Sequence, residues 1–135
     1  MKIIICVDSN GGISFNNRRQ SQDRILRQKV AELCNGSPLF LNEYSAKMFG
    51  DEYLLNISGT YLADASDTDF CFVEEESVDF DKVGEVYLFN WNRKYPADKF
   101  FKFDAKVLGF TRRHKEEFAG SSHEKITLEI FAKKV

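Results

Sequence analysis

Five apolar residues stand in a row near the start of this chain, Ile3-Ile4-Ile5-Cys6-Val7, and four of them are β-branched. A run without polar alternation reads as a strand covered on both faces, which belongs in the middle of a sheet with layers on each side. Ser9-Asn10-Gly11-Gly12 breaks the run. The next stretch is helical in period. Leu26, Val30 and Leu33 share one stripe, Ser21 suits an N-cap, and Asn35-Gly36 suits an end. The spacing predicts a helix over 22–34.

Further along, Pro38–Leu41 reads as a short strand and Tyr44–Phe49 as a short helix before Gly50. Tyr53–Ile57, Thr60–Ala63 and Phe70–Glu74 are strand candidates, with an acidic loop over Asp64–Asp69. Glu85–Trp91 is apolar on both faces, so it too is a covered strand. Val107–Arg113 and Lys125–Lys133 pair as an antiparallel hairpin around a loop with Gly120-Ser121-Ser122 at its tip. In the second of these strands Ile126, Leu128 and Ile130 face inward. The order of elements predicts one α/β domain over 1–135, a mixed central sheet flanked by helices and closed by the C-terminal antiparallel hairpin. A chain of 135 residues is long enough to bury a core of its own.

Composition narrows the function classes. The five-residue apolar run is too short for a signal segment or a membrane span. Cys6, Cys34 and Cys71 show no C-x-x-C spacing and read as reduced thiols of a cytoplasmic protein, with Cys6 in the core. His114 and His123 are nine residues apart and make no metal site. Asp64, Asp67 and Asp69 lack the glycine and final glutamate of a calcium loop. The net charge of −2 hides an asymmetry: residues 50–92 carry eleven acids against Lys82, and residues 93–135 carry eleven Lys or Arg against six acids. These are solvated faces, or a basic surface for an anionic partner at Arg18, Arg19, Arg24 and Arg27 or at Arg112–Lys115. No nucleic-acid motif accompanies them. The two histidines across the hairpin loop, with basic neighbours, also suit acid–base cleavage of RNA.

Three segments together resemble the dihydrofolate reductases: Ile3–Asn17 with the helix after it, Ser37–Leu41, and the C-terminal part with Glu85–Leu88, Asp98–Phe101 and Lys125–Lys134. The resemblance implies that Asp23 is the family's pterin-binding acid, a carboxylate that holds the heterocycle and assists its protonation. It also implies ligand contacts from Ile4, Ile5 and Cys6 on the first strand and from Arg24 and Arg27 on the helix. Asp23 has a second reading from the residues alone, as a helix-start carboxylate paired with Arg27 four positions on.

Several departures from the family pattern bear on activity. Arg24 and Arg27 stand where the family has a leucine and an aromatic against the pterin. Phe89 stands at the position of a threonine, and no arginine falls between Arg27 and Arg93 to anchor a folate tail. Asn42-Glu43-Tyr44-Ser45 replaces the Gly-Arg-x-Thr motif, no Gly-Gly turn precedes Val86, and the acidic middle would repel NADPH. The expectation is a divergent relative without the standard folate and NADPH sites that binds a small ligand or a partner. The alternatives are an NAD(P)H-dependent reductase of a pterin-like heterocycle using Asp23, and a binder of an anionic partner.

Overall fold

The computed structural model describes residues 1–134. Its main sheet has seven strands in the order β5-β4-β6-β1-β7-β10-β9. β1 (Lys2–Val7) lies in the middle, paired in parallel with β6 (Phe70–Phe72) on one side and β7 (Glu85–Asn90) on the other. β4 (Leu39–Leu41) and β5 (Leu55–Ile57) extend the parallel part. β10 (Ile126–Lys133) runs antiparallel to β7, and β9 (Phe110–Phe118) antiparallel to β10, giving the C-terminal hairpin. The fold is therefore a single mixed α/β domain.

Alternation along β1 feeds two cores. Ile4, Phe70, Phe72, Phe89 and Leu128 face α1 (Arg24–Cys34) and α2 (Glu43–Phe49). Ile3, Ile5, Val7, Cys71 and Val86 face the layer that holds α3 (Tyr61–Asp64) and α4 (Ala105–Leu108). Burial of a strand on both faces is what the uninterrupted apolar run requires. Along β10, Ile126 and Leu128 point into the α1 core as the alternation predicts. The register then shifts between Ile130 and Phe131, and Phe131 joins the opposite core.

Three expectations are corrected. The N-cap of α1 is Asp23, not Ser21, and the helix begins at Arg24. Asp23 wins because its carboxylate accepts from both Ile25 N and Leu26 N. Thr60–Ala63 is not a strand but opens α3, where the Asp64 carboxylate accepts from the Ser58 and Thr60 hydroxyls and closes a local turn. The segment over 107–113 is split. Asp104 caps α4, Gly109 ends it at φ +81°, and β9 starts at Phe110.

A second sheet of three short strands sits beyond the carboxyl end of β1: β2 (Gly12–Phe15), β3 (Arg18–Arg19) and β8 (Lys99–Phe100). Asn16 and Asn17, at φ 51° and 61°, make the hairpin turn between β2 and β3. Asp8 fixes this sheet to the main one. Its buried carboxylate accepts from Asn10 N, Gly12 N, Gln20 Nε2 and Tyr95 N at 2.8–3.1 Å. Burial opposes the charge on Asp8, but these donors outweigh it and hold the acid below its ordinary value. Gly12 is required here by close approach, since a Cβ would lie 2.6 Å from Ala97 Cβ.

Candidate functional site

The carboxyl ends of β1, β4 and β6 open on the space between the two sheets, the usual place for a ligand in a parallel α/β sheet. Three side-chain groups meet there: a buried carboxylate–imidazole pair, a half-buried ion pair, and an amide with an unpaired oxygen.

The first group is built on Asp23. Its side chain has no exposed surface. Oδ1 accepts from Ile25 N, Leu26 N, Ser121 N and Ser121 Oγ, and Oδ2 from Ser122 N and His123 Nδ1, all at 2.8–3.2 Å. Burial pushes the acid up, but the His123 ring and the N–H groups of Ser121, Ser122 and Leu26 outweigh it and hold the carboxyl far below the usual range. An ionised carboxylate only accepts, so the proton of the ring sits on Nδ1. Nε2 lies 3.0 Å from both Ser21 Oγ and Tyr95 Oη. The side chain is 2% exposed and its ring stacks on Trp91 with centroids 4.4 Å apart. Gly120 lets the loop seat so closely: a Cβ there would fall 2.5 Å from Asp23 Oδ2.

The second group is Arg19 with Glu74. Nε and Nη2 of the guanidinium meet Oε2 and Oε1 of the carboxylate, each at 2.9 Å. Ser45, itself buried on α2, donates its hydroxyl to Glu74 Oε1 at 2.7 Å, and the Tyr44 ring packs under the guanidinium at 4.5 Å. The two charged side chains are 19% and 16% exposed. They share a cleft of about 250 Å³ with Asn17, Asn42, Tyr44 and Lys99. A small cavity of about 10 Å³, too small for more than one water, lies beside it, walled by Cys6, Ile13, Met48, Phe72 and Trp91 and edged by Arg19, Gln20, Ser21 and Glu74. Burial, with Glu74 adding and Arg19 opposing, pushes the Cys6 thiol well above its ordinary value.

Gln20 is the third group. Its Nε2 is spent on Asp8 and on the Pro96 carbonyl. Its Oε1 is the one buried side-chain polar atom without a partner among the described residues.

The sequence-predicted site residues separate on this geometry. Cys6 lines the smaller cavity. Ile4 and Ile5 are wholly buried on opposite faces of the sheet, in the two cores, and line neither the cleft nor the cavity. Arg24 is exposed and Arg27 half-buried, and neither borders the cleft or the cavity. The predicted Asp23–Arg27 pair is not formed; the loop 121–123 occupies the carboxylate instead. Phe89 is fully buried against α1 and offers no hydroxyl to Asp23.

The pairing of His114 with His123 is also overturned. His114 is exposed on β9 beside Glu116 Oε1 at 3.1 Å, while His123 is buried on Asp23. The basic stretches are laced with acids, with Arg112 on Glu129, Lys125 on Glu117, Lys29 on Glu116 and Arg19 on Glu74. No cluster of three metal-binding side chains occurs among the described residues, and no helix among them is long and apolar enough to cross a membrane. Glu74, Trp91 and Tyr95 carry no site signal in the sequence beyond the place of Glu74 at the end of an apolar strand candidate, where α/β ligand sites collect. No family model matches the chain, and no curated protein matches it either.

Proposed function

We propose that this chain is a small-ligand-binding α/β domain, a divergent relative of the dihydrofolate reductases, that holds its ligand at Glu74 and Arg19 rather than at Asp23. The observation that carries the reading is the Arg19–Glu74 pair at the carboxyl ends of the strands, bidentate and less than one-fifth exposed. A pair so far removed from water is weak support for folding, because desolvation offsets its attraction. Its position over a cleft gives it a use: an acceptor and a donor edge side by side, suited to a planar heterocycle that carries both.

The reading with Asp23 as a proton donor is disfavoured by its surroundings. Six donors fill both oxygens, and no ligand atom reaches a side chain without exposed surface. Glu43 opens α2 where the family pattern has an arginine, which disfavours a phosphate-bearing cofactor.

Calorimetric titration of the full chain with 2,4-diaminopyrimidine, a reduced pterin and NADPH tests the reading. Binding of a heterocycle that Glu74→Gln removes, with no heat from NADPH, is the expected result. NADPH-dependent reduction of dihydrofolate, or no binding of either heterocycle, would overturn it.

A further inference from the structure

We infer that the ligand of the Arg19–Glu74 cleft carries a carboxylate, bound by Lys99 together with unengaged donors of Arg19, Asn17 and Asn42; this rests on the reading of that cleft as the ligand site.

The hydrogen bonds around the cleft leave donors over. Lys99 Nζ carries three donors and gives one to Asn17 Oδ1 at 3.1 Å. It pairs with no carboxylate among the described residues. Arg19 spends Nε and Nη2 on Glu74, and Nη2 again on the Tyr44 carbonyl, so Nη1 has no protein partner among the described residues. Asn17 spends its amide oxygen on Lys99, and Asn42 spends its own on Ser45 N at 2.9 Å. Neither amide nitrogen has a partner among the described residues. All four side chains border the same cleft.

The carboxylate and amide oxygens there are engaged, with one opening. Glu74 Oε1 accepts from Arg19 and from the Ser45 hydroxyl. Oε2 accepts from Arg19 Nε alone, which leaves it room for one donor of a heterocycle. A ligand that meets this wall must therefore bring one donor for Glu74 and several acceptors for the rest.

Charge points the same way. Two bases, Arg19 and Lys99, face one acid, Glu74, across the cleft. Arg19 and Glu74 cancel, and Lys99 remains in excess. A single carboxylate balances it. A phosphate dianion would overshoot it and would meet the exposed Glu43 beside Asn42. The neighbouring Asp98 is turned to Asn16 N at 3.1 Å and does not neutralise Lys99.

Lys99 is also held in place. It is half-buried on β8, and its partner Asn17 is fixed at φ 61° in the turn between β2 and β3. A cation so placed loses less freedom on binding than a loose surface lysine. The cleft volume of about 250 Å³ admits a single six-membered ring with one carboxylate. Lys99 is thus the residue that selects an anionic ring over a neutral one.

Titration of the full chain with 2,4-diaminopyrimidine and with 2,4-diaminopyrimidine-5-carboxylate tests the subsite. The carboxylate form is expected to bind about tenfold more tightly, with the advantage shrinking as salt is added. Lys99→Gln, which keeps a donor for Asn17, is expected to bring the two to equal affinity. Lys102→Gln, at an exposed lysine outside the cleft, controls for net charge and should preserve the difference. Benzoate, an anion without the donor–acceptor edge, should shift the side-chain amide resonances of Asn17 and Asn42 in ¹H–¹⁵N NMR more than inorganic phosphate does. Equal affinity of the two pyrimidines, a difference that survives Lys99→Gln, or larger shifts with phosphate would each overturn the carboxylate subsite and leave the ring site at Glu74 standing. Benzoate shifts without binding of either pyrimidine would uphold the subsite and overturn the ring site; no response to any probe would overturn both.

Discussion

Asp23 Oδ2 meets His123 Nδ1 at 3.0 Å across one hundred residues of chain, and neither side chain is more than 2% exposed. The contact joins the start of α1 to the loop between β9 and β10. Removing the carboxylate leaves the helix N–H groups, the N–H groups of Ser121 and Ser122 and the His123 ring without their acceptor. Asp23→Ala is therefore expected to destabilise the fold by about 3 kcal/mol in urea unfolding.

Acid should weaken the protein in a window set by the same group. Asp23 and Asp8 are both held below the ordinary carboxylate value in the folded state. Their stabilisation is fully present above the unfolded value of about 3.9 and is lost as pH falls through the lower folded values. The urea midpoint should be flat from about pH 7 to pH 5 and fall steeply below about pH 4. Asp23→Asn should make that fall shallower without removing it, because Asp8 remains.

Gly120→Ala should be costly at a site with no strained backbone angle. The new methyl would fall 2.5 Å from Asp23 Oδ2 and 2.9 Å from Ile126 Cδ1, so the loop must lift off the carboxylate. A loss of about 2 kcal/mol is expected. Gly59→Ala, where a Cβ meets nothing within 4 Å, is the control and should change the melting temperature little.

Arg27 and Leu26 are neighbours with opposite expected sensitivities. Arg27 makes no ion pair with Asp23, so Arg27→Ala should stay within about 0.5 kcal/mol of the parent. Leu26 is fully buried in the core under α1, and Leu26→Ala should cost about 2–5 kcal/mol. Equal effects from the two variants in chemical denaturation would contradict the helix orientation.

The fold was legible where burial leaves a periodic trace. Ile3–Val7 and Glu85–Trp91 each carry apolar residues on both faces, and both are interior strands of the sheet. The helix stripe holds at Leu26 and Val30; Cys34 is its third fully buried residue, and Leu33 packs half-buried against the same core. Thr60–Ala63 misled because hydroxyl-to-carboxylate bonds from Ser58 and Thr60 to Asp64, not apolar alternation, decide that turn. The site was less legible still. Asp23 was singled out on a likeness, and nothing in its local sequence tells that Ser122 and His123 complete it from the far end of the chain. Gly120-Ser121-Ser122 reads as a loop tip; its small residues are also what lets two backbone N–H groups crowd onto one oxygen-bearing side chain.

The late arrival of that loop has a consequence for synthesis. Of the six donors on Asp23, only the two from Ile25 and Leu26 are present when the first helix leaves the ribosome. The other four come with residues 121–123, long after β7 has supplied the second neighbour of β1. The amino-terminal third of the chain is thus made early and locked late. Released chains truncated before residue 119 should be open to proteases around Ser21, and the full chain, with β10 paired to β9, should be closed there.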